Sequence, residues 1–364
     1  MNLTLEKGKT LLVDGPASVT VVSGKAEVFG FQVKDAGKII IREGKRLPFT
    51  VSEKADFNVF LGESASVEEV EGNTIPQSWI EAADALASLQ KKPVIAMVVG
   101  KADSGKTSFC TYLINKLINE KQKVAVLDGD LGQSDIGPPC TVAYACVTKS
   151  VTDLFTLKTE NAFFVGFTSP SEAVDKTIKG IALLKQEILN KTTDFVIVNT
   201  DGWVESEEAV AYKSRLAEEL NPDIIFCIQQ NDELSPLLVA LAKFRKSTVE
   251  FPLAIRQRSR EKRRDLRELG YIKYLANAKM QTWLLKLIAI EGQSGAQARQ
   301  TWEEGLLLGL YDAQRKFLGI GVLRKVDYVR NALKIFTSVS TRPASIAFGK
   351  VRLDENLKET ETTA

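Results

Sequence analysis

Over the first 75 residues the apolar positions fall in short β-branched runs that stop at glycine. Ser18-Val19-Thr20-Val21-Val22-Ser23-Gly24 and Lys38-Ile39-Ile40-Ile41-Arg42-Glu43-Gly44 are of this kind, and no helical period accompanies them. The pattern predicts a small all-β domain over residues 1–75. After Pro76 the period changes. Trp79, Ile80, Ala83, Leu86 and Leu89 recur at helical spacing, which predicts a connecting helix within residues 76–92.

From Pro93 the texture changes again. The apolar run Val94 to Val99 leads into a glycine-rich turn, and a helix with Phe109, Leu113, Leu117 and Ile118 on one side follows. Further strands are expected at Val124–Leu127, Ala162–Val165, Phe195–Val198 and Ile224–Ile228, most of them separated by helical stretches. Strand–helix alternation of this kind argues a parallel α/β sheet over residues 93–275. Beyond residue 276, short runs such as Gly319–Leu323 and Ala332–Phe336 predict a C-terminal β module, 276–364, whose polar last residues, Lys358 to Ala364, are expected to fray.

Composition narrows the chemistry. The 364 residues are 44% hydrophobic and 26% charged, enough for a sizeable core, and Lys+Arg 48 against Asp+Glu 46 leaves +2, so any basic patch must be local. There is no histidine. That removes serine–histidine and cysteine–histidine nucleophiles, a histidine base and every imidazole-dependent zinc site. The four cysteines, Cys110, Cys140, Cys146 and Cys227, show no C-x-x-C spacing. No basic-then-apolar leader opens the chain, and the longest apolar run is too short for a bilayer. The expectation is a reduced, cytoplasmic protein with no membrane partner.

Four stretches carry chemistry. Gly100-Lys101-Ala102-Asp103-Ser104-Gly105-Lys106-Thr107, followed by Ser108, fits the phosphate-binding P-loop pattern between a strand and a helix. Its backbone N–H groups would cradle phosphate oxygens, Lys106 would reach the β- and γ-phosphates, and the Thr107 hydroxyl would ligate Mg²⁺. Leu127-Asp128-Gly129-Asp130-Leu131-Gly132-Gln133 closes the next strand, at the end that faces the ligand crevice in an open parallel sheet. Asp130 there could hold Mg²⁺ or accept a proton from an attacking hydroxyl, with Gln133 nearby; a solvated Asp-Gly turn is the alternative. Asn199-Thr200-Asp201-Gly202-Trp203 ends another strand. Trp203 is either core or a stacking platform for a nucleobase, and Asp201 is a candidate second acid near the metal. Finally, Arg256 to Arg267 holds seven basic residues against two acidic, with Arg256, Arg260, Arg263 or Arg264, and Arg267 on one helical face. Guanidinium forks suit phosphates and transition-state charge, unless the stretch is only a solvated basic helix.

In this order the four pieces resemble the 5′-hydroxyl polynucleotide kinases of tRNA splicing, pre-mRNA cleavage and ribosomal RNA processing, together with their archaeal relatives. Gly166-Phe167-Thr168-Ser169-Pro170 matches the family's substrate-clasping loop, and Gly24-Lys25-Ala26-Glu27-Val28-Phe29-Gly30 looks like its N-terminal signature. The resemblance implies a P-loop kinase domain between two β domains, with ATP and Mg²⁺ as cofactors and a single-stranded RNA or DNA 5′-OH end as partner, alongside RNA-processing proteins. It implies that Lys106 and Thr107 serve ATP and Mg²⁺, that Asp130 is the base, and that Gln133 assists at the metal. It further implies that Thr168 and Ser169 clasp the strand, that Trp203 stacks on the terminal base, that Arg258, Arg263 and Arg267 form a lid over the phosphates, and that Glu6 and Arg46 touch the adenine. Two other readings share the P-loop: an ATP-bound scaffold in an RNA-processing assembly, and a protein-sorting ATPase that would leave Trp203 and the arginines unexplained.

Overall fold

The structure is a computed structural model, and it describes the chain apart from residues 35, 253, 292–301 and 361–364. The chain opens with nine strands: β1 (Asn2–Leu5), β2 (Lys9–Asp14), β3 (Ala17–Ser23), β4 (Ala26–Val28), β5 (Phe31–Val33), β6 (Lys38–Ile41), β7 (Arg46–Val51), β8 (Ala55–Leu61) and β9 (Val67–Glu71). The middle runs α1 (Gln77–Ala87), β10 (Val94–Gly100), α2 (Lys106–Asn119), β11 (Val124–Asp128), β12 (Thr141–Val147), β13 (Asn161–Phe164) and α3 (Val174–Leu189). It continues with β14 (Phe195–Asn199), α4 (Glu207–Leu220), β15 (Ile224–Gln229), α5 (Ser235–Ala240), β16 (Lys246–Glu250) and α6 (Arg260–Tyr274). Strands β17 (Lys279–Leu284), β18 (Ala289–Ile290), β19 (Leu306–Tyr311), β20 (Phe317–Asp327), β21 (Ala332–Thr337), β22 (Ser345–Leu353) and β23 (Glu359–Thr360) complete it.

Two compact units emerge. The first takes Met1–Val126, Cys146–Leu157 and Ile188–Lys262. The second takes Leu127–Ala145, Lys158–Glu187 and Arg263–Ala364.

In the first unit the N-terminal strands form two antiparallel sheets, ordered β1-β8-β3-β6 and β5-β4-β7-β2-β9, as the glycine-closed runs predict. Strand β8 shows why: Ala55, Phe57 and Val59 are buried while the residues between them are not, the period of two that gives a sheet one inward face. In α1, Trp79, Ala82, Ala83 and Leu86 are buried, and the Trp79 indole N–H donates to the Glu250 carbonyl at 3.0 Å. Behind it lie strands ordered β11-β14-β10-β15-β16, with β11 giving its first three residues to this unit. Strand β10 is buried at all seven positions, the mark of a central parallel strand covered on both faces, and it pairs in parallel with β14 (Ala96 beside Ile197) and β15 (Val98 beside Phe226). Strand β16, which the sequence pattern did not announce, adds in parallel to β15.

The second unit adds an antiparallel pair that the strand–helix alternation did not announce. Strands β12 and β13 pair antiparallel, Thr141 opposite Phe164. The C-terminal sheet runs β17-β21-β20-β19-β22-β18, with β23 on β22. Both of its faces are covered. Leu307, Ile320 and Val322 pack with Phe164 and Tyr271, while Leu308, Leu310, Leu323 and Ile335 form a second cluster. Gly309 makes the first contact possible, since a Cβ there would come within 2.5 Å of the Phe164 side chain. The expected fraying fails at Glu359 and Thr360, which pair with Leu353 and Arg352; residues 361–364 lie outside the described residues.

Candidate functional site

In the first unit β10 ends at Gly100 and the chain turns through Lys101–Gly105 into α2. Gly105 takes a left-handed φ of +91°, and a Cβ there would meet Ile255 Cδ1 at 2.6 Å, so glycine is required on both counts. The Lys106 ammonium curls back to the Lys101 carbonyl at 2.7 Å. The Ser104 hydroxyl is fully buried and finds no hydrogen-bond partner. A buried orphan hydroxyl in a glycine-rich turn between a strand and a helix fits a loop built for an oxyanion ligand. Thr107, at the first turn of α2, has its hydroxyl 3.5 Å from the Asn199 amide nitrogen at the end of β14.

The Asn199–Trp203 loop lies against this phosphate loop. A Cβ at Gly202 would sit 2.4 Å from the Ala102 backbone nitrogen, and Thr200 donates to the Val98 carbonyl of β10 at 2.8 Å. Trp203 is half-buried and stacks on Tyr212, with centroids 5.8 Å apart and planes at 23°. Asp201 is buried and held by the Lys213 ammonium at 2.7 Å, the Tyr212 hydroxyl at 3.1 Å and the Trp203 N–H at 2.9 Å. That engagement speaks against the metal-side acid considered for Asp201.

The segment before α6 wraps the same unit. The Arg258 N–H donates to Asp103 at 2.9 Å, and its guanidinium donates to the Gly44 carbonyl at 2.9 Å and pairs with Asp103 at 3.6 Å. Arg256 precedes the helix and pairs with Asp14 at 3.1 Å, so it does not share the helical face foreseen for it. Arg46 forks onto Asp14 at 2.9 and 2.8 Å and reaches the Ala254 carbonyl at 3.4 Å. Burial opposes the Asp14 charge, yet Arg46 and Ser66 hold its carboxyl below the ordinary carboxylate value. Glu6 pairs with Lys54 at 2.9 Å on the exposed surface, a setting unlike that of Arg46.

The second unit carries the acidic loop. Asp128, fully buried at the end of β11, accepts backbone N–H bonds from Asp130 at 3.2 Å, Asp135 at 2.8 Å and Ile136 at 3.3 Å. Burial first, then the neighbouring Asp130 and Asp135 charges, pushes its carboxyl up to about 7. Asp130 is only half-buried, and its Oδ1 accepts the N–H groups of Gly132 at 3.1 Å and Gln133 at 2.9 Å. The Gln133 amide donates to the Gly132 carbonyl at 2.6 Å and to the Arg263 carbonyl at 2.9 Å, joining the acidic loop to α6. Gly132 also abuts the Thr168 carbonyl, 2.8 Å from where its Cβ would stand. Ser169 caps the turn that follows by accepting from the Ser171 N–H at 3.3 Å. On α6, Arg263 is half-buried, whereas Arg267 forks onto Glu359 with two 2.7 Å bonds. The structure therefore brings Asp130, Gln133, Thr168 and Arg263 together in one unit, and Lys106, Thr107, Trp203, Arg258 and Arg46 in the other. Arg267 sits in an ion pair that ties β23 to α6.

Residues 100–277 match the family described as mRNA cleavage and polyadenylation factor CLP1 P-loop. The chain is 27% identical over 342 residues to a polyribonucleotide 5′-hydroxyl-kinase of Pyrococcus abyssi, covering 79% of this chain and 95% of the relative. It is 26% identical over 341 residues to the enzyme of the same description from Methanocaldococcus jannaschii, covering 78% and 94%. Its fold matches that of a solved Clp1p–Pcf11p complex with a TM-score of 0.79 over 97% of both chains, at 13% identity. The fold class is thus an α/β P-loop domain flanked by N- and C-terminal β domains.

Three participants were not legible in the sequence. Lys213 had one signal: it stands on the apolar side of α4 with Ala209, Leu216 and Ala217, all buried, where an isolated lysine demands a buried partner. Asp128 and Asp135 had none, because a short acidic loop reads the same in sequence whether its carboxylates are exposed or buried. Among the described residues no helix is long and apolar enough to cross a membrane.

Proposed function

We propose that the protein is an ATP-dependent polynucleotide 5′-hydroxyl kinase that transfers the γ-phosphate of ATP to the 5′-OH of RNA. The domain plan that goes with this reading is an N-terminal β domain at 1–75, a connecting helix at 76–92, the kinase domain at 93–275 and a C-terminal β domain at 276–364. One observation carries the choice of a polynucleotide over a protein client. The loop bearing Trp203 rests on the P-loop backbone, so an aromatic stacking surface is built onto the phosphate loop itself. The relatives named polyribonucleotide 5′-hydroxyl-kinases point the same way.

In this reaction Asp130 takes the proton of the 5′-hydroxyl. That oxygen bonds to the γ-phosphorus, the bond to the β–γ bridging oxygen breaks, and ADP leaves with the electron pair. The P-loop amides and Lys106 hold the phosphates. Thr107 and Asp130 offer hydroxyl and carboxylate oxygens and Gln133 an amide oxygen, the hard donors that Mg²⁺ takes; when bound, the ion would neutralise charge on the β- and γ-phosphates. Thr168 and Ser169 flank the strand, and Arg263 and Arg258 serve the phosphates. The four cysteines are all free, in keeping with a cytoplasmic site of action.

The test is incubation with γ-labelled ATP and either 5′-OH or 5′-phosphate RNA and DNA oligonucleotides. Label on the 5′-OH species alone supports the reading, and no label on any oligonucleotide overturns it. Trp203→Ala is expected to weaken oligonucleotide binding by about 1–3 kcal/mol with ATP affinity held. An equal loss for both ligands in a binding titration would make Trp203 core. The two α6 arginines should separate. Arg263→Lys keeps the charge but loses the planar fork, so turnover falls at an unchanged melting temperature. Arg267→Lys cannot keep both bonds to Glu359, so the fold loses about 1–3 kcal/mol, read in a denaturant melt. A silent melt for Arg267→Lys would show that the Glu359 pair is dispensable.

A further inference from the structure

Lys213 and Asp201 are charged groups that the reaction above does not use, yet both are almost completely removed from solvent, at 0% and 4% exposure. Burying an ion pair costs desolvation that Coulomb attraction alone seldom returns, so its place in a fold asks for a reason other than stability. The geometry supplies one. Lys213 leaves the buried side of α4 and donates to the Asp201 carboxylate at 2.7 Å and to the Asp201 carbonyl at 3.0 Å. The same carboxylate accepts the Trp203 N–H at 2.9 Å and the Tyr212 hydroxyl at 3.1 Å. The Tyr212 ring, buried to 1% exposure, backs one face of the Trp203 indole. Residues 201, 202 and 203 are therefore fixed from below by two consecutive side chains of one helix, and Gly202 between them is pressed against Ala102 of the P-loop.

We infer that the Lys213–Asp201 ion pair, with Tyr212, is the positioning device for the base platform: it sets the pose of Trp203 toward the 5′-terminal nucleobase. None of the three touches substrate. They are positioning residues, and they act through Trp203. The inference rests on the polynucleotide kinase reading. It accounts for a lysine on the apolar side of α4 and for an acid at a strand end that neither binds metal nor abstracts a proton. A floppy indole would lose orientational entropy on every binding event, and a preset one has already lost it in folding.

The experiment is a double-mutant cycle on the full chain with 5′-OH RNA. Lys213→Met alone should raise the oligonucleotide KM about tenfold while kcat and the ATP KM stay within about twofold, because only the stacking contact is misplaced. In a Trp203→Ala background Lys213→Met should add nothing further to the oligonucleotide KM, since the platform it positions is gone. An unchanged KM for Lys213→Met, or the same rise with and without Trp203, overturns the inference and makes the pair a general structural element. Should Lys213→Met fail to fold, Tyr212→Phe keeps the stacked ring, removes one bond to Asp201 and runs the same cycle with the same two outcomes. Wild-type protein that labels no oligonucleotide would sink the kinase reading instead, and direct binding of a 5′-phosphate RNA to the four members of the cycle would still test the positioning of Trp203.

Discussion

Lys106→Ala is expected to lose at least about 10³-fold in transfer rate while its melting temperature matches wild type. The magnitude follows from what the ammonium does: a preorganised donor aimed at charge that develops on the phosphates is worth about 10²–10³ when removed, and here the full positive charge goes with it. The fold should not notice. The structure engages the ammonium with a carbonyl of its own loop, Lys101 at 2.7 Å, so the lysine head is directed at the phosphate loop rather than into the apolar core. The helix that carries it is held elsewhere, by Phe109, Cys110, Leu113, Ile114 and Leu117, all buried. Initial rates with saturating 5′-OH RNA and a thermal melt decide the matter together. Full transfer by Lys106→Ala would remove the P-loop from the reaction, and a collapsed melt would mean that the lysine is part of the fold.

Local signals in the sequence reached far because they are short. The buried run Val94–Val99, the P-loop glycines and the helical spacing after Pro76 each specify an element within a dozen residues, and each is found in place. What the sequence hid is relational. Thr141–Val147 is apolar enough for a strand, yet nothing in it says that its neighbour Asn161–Phe164 runs the other way, because pleat and period are the same for both directions. The arginine run shows the same limit at the level of the site. Arg256, Arg258 and Arg267 look alike on paper, but the structure sets them on Asp14, Asp103 and Glu359, carboxylates 242, 155 and 92 positions away in sequence. Asp201 and Asp130 both follow apolar strands, and only their partners tell them apart: a buried ammonium for one, two backbone N–H groups and a half-exposed setting for the other.

That contrast makes Asp130→Asn the sharpest test of the chemistry. An asparagine keeps the size and an oxygen that can accept from Gly132 and Gln133, so the loop geometry should survive. What it loses is the charge and the ability to take a proton. Turnover is therefore expected to fall at least about 10²-fold, the usual worth of a positioned general base, while ATP affinity and melting temperature hold. The neighbouring acids are poor substitutes. Asp128 has no solvent exposure and its oxygens are occupied by three backbone N–H groups, so it cannot approach a hydroxyl. Asp201 is buried, and its carboxylate already accepts from the Lys213 ammonium, the Tyr212 hydroxyl and the Trp203 backbone N–H, so it is not placed to meet a hydroxyl. Wild-type turnover in Asp130→Asn would show that no carboxylate base is needed at this position and that positioning and phosphate charge neutralisation account for the rate. A loss of ATP affinity equal to the loss of rate would instead assign Asp130 to metal and nucleotide binding alone. Measuring kcat and the ATP dissociation constant on the same preparation separates the two, and only a fall confined to kcat leaves Asp130 as the group that accepts the proton.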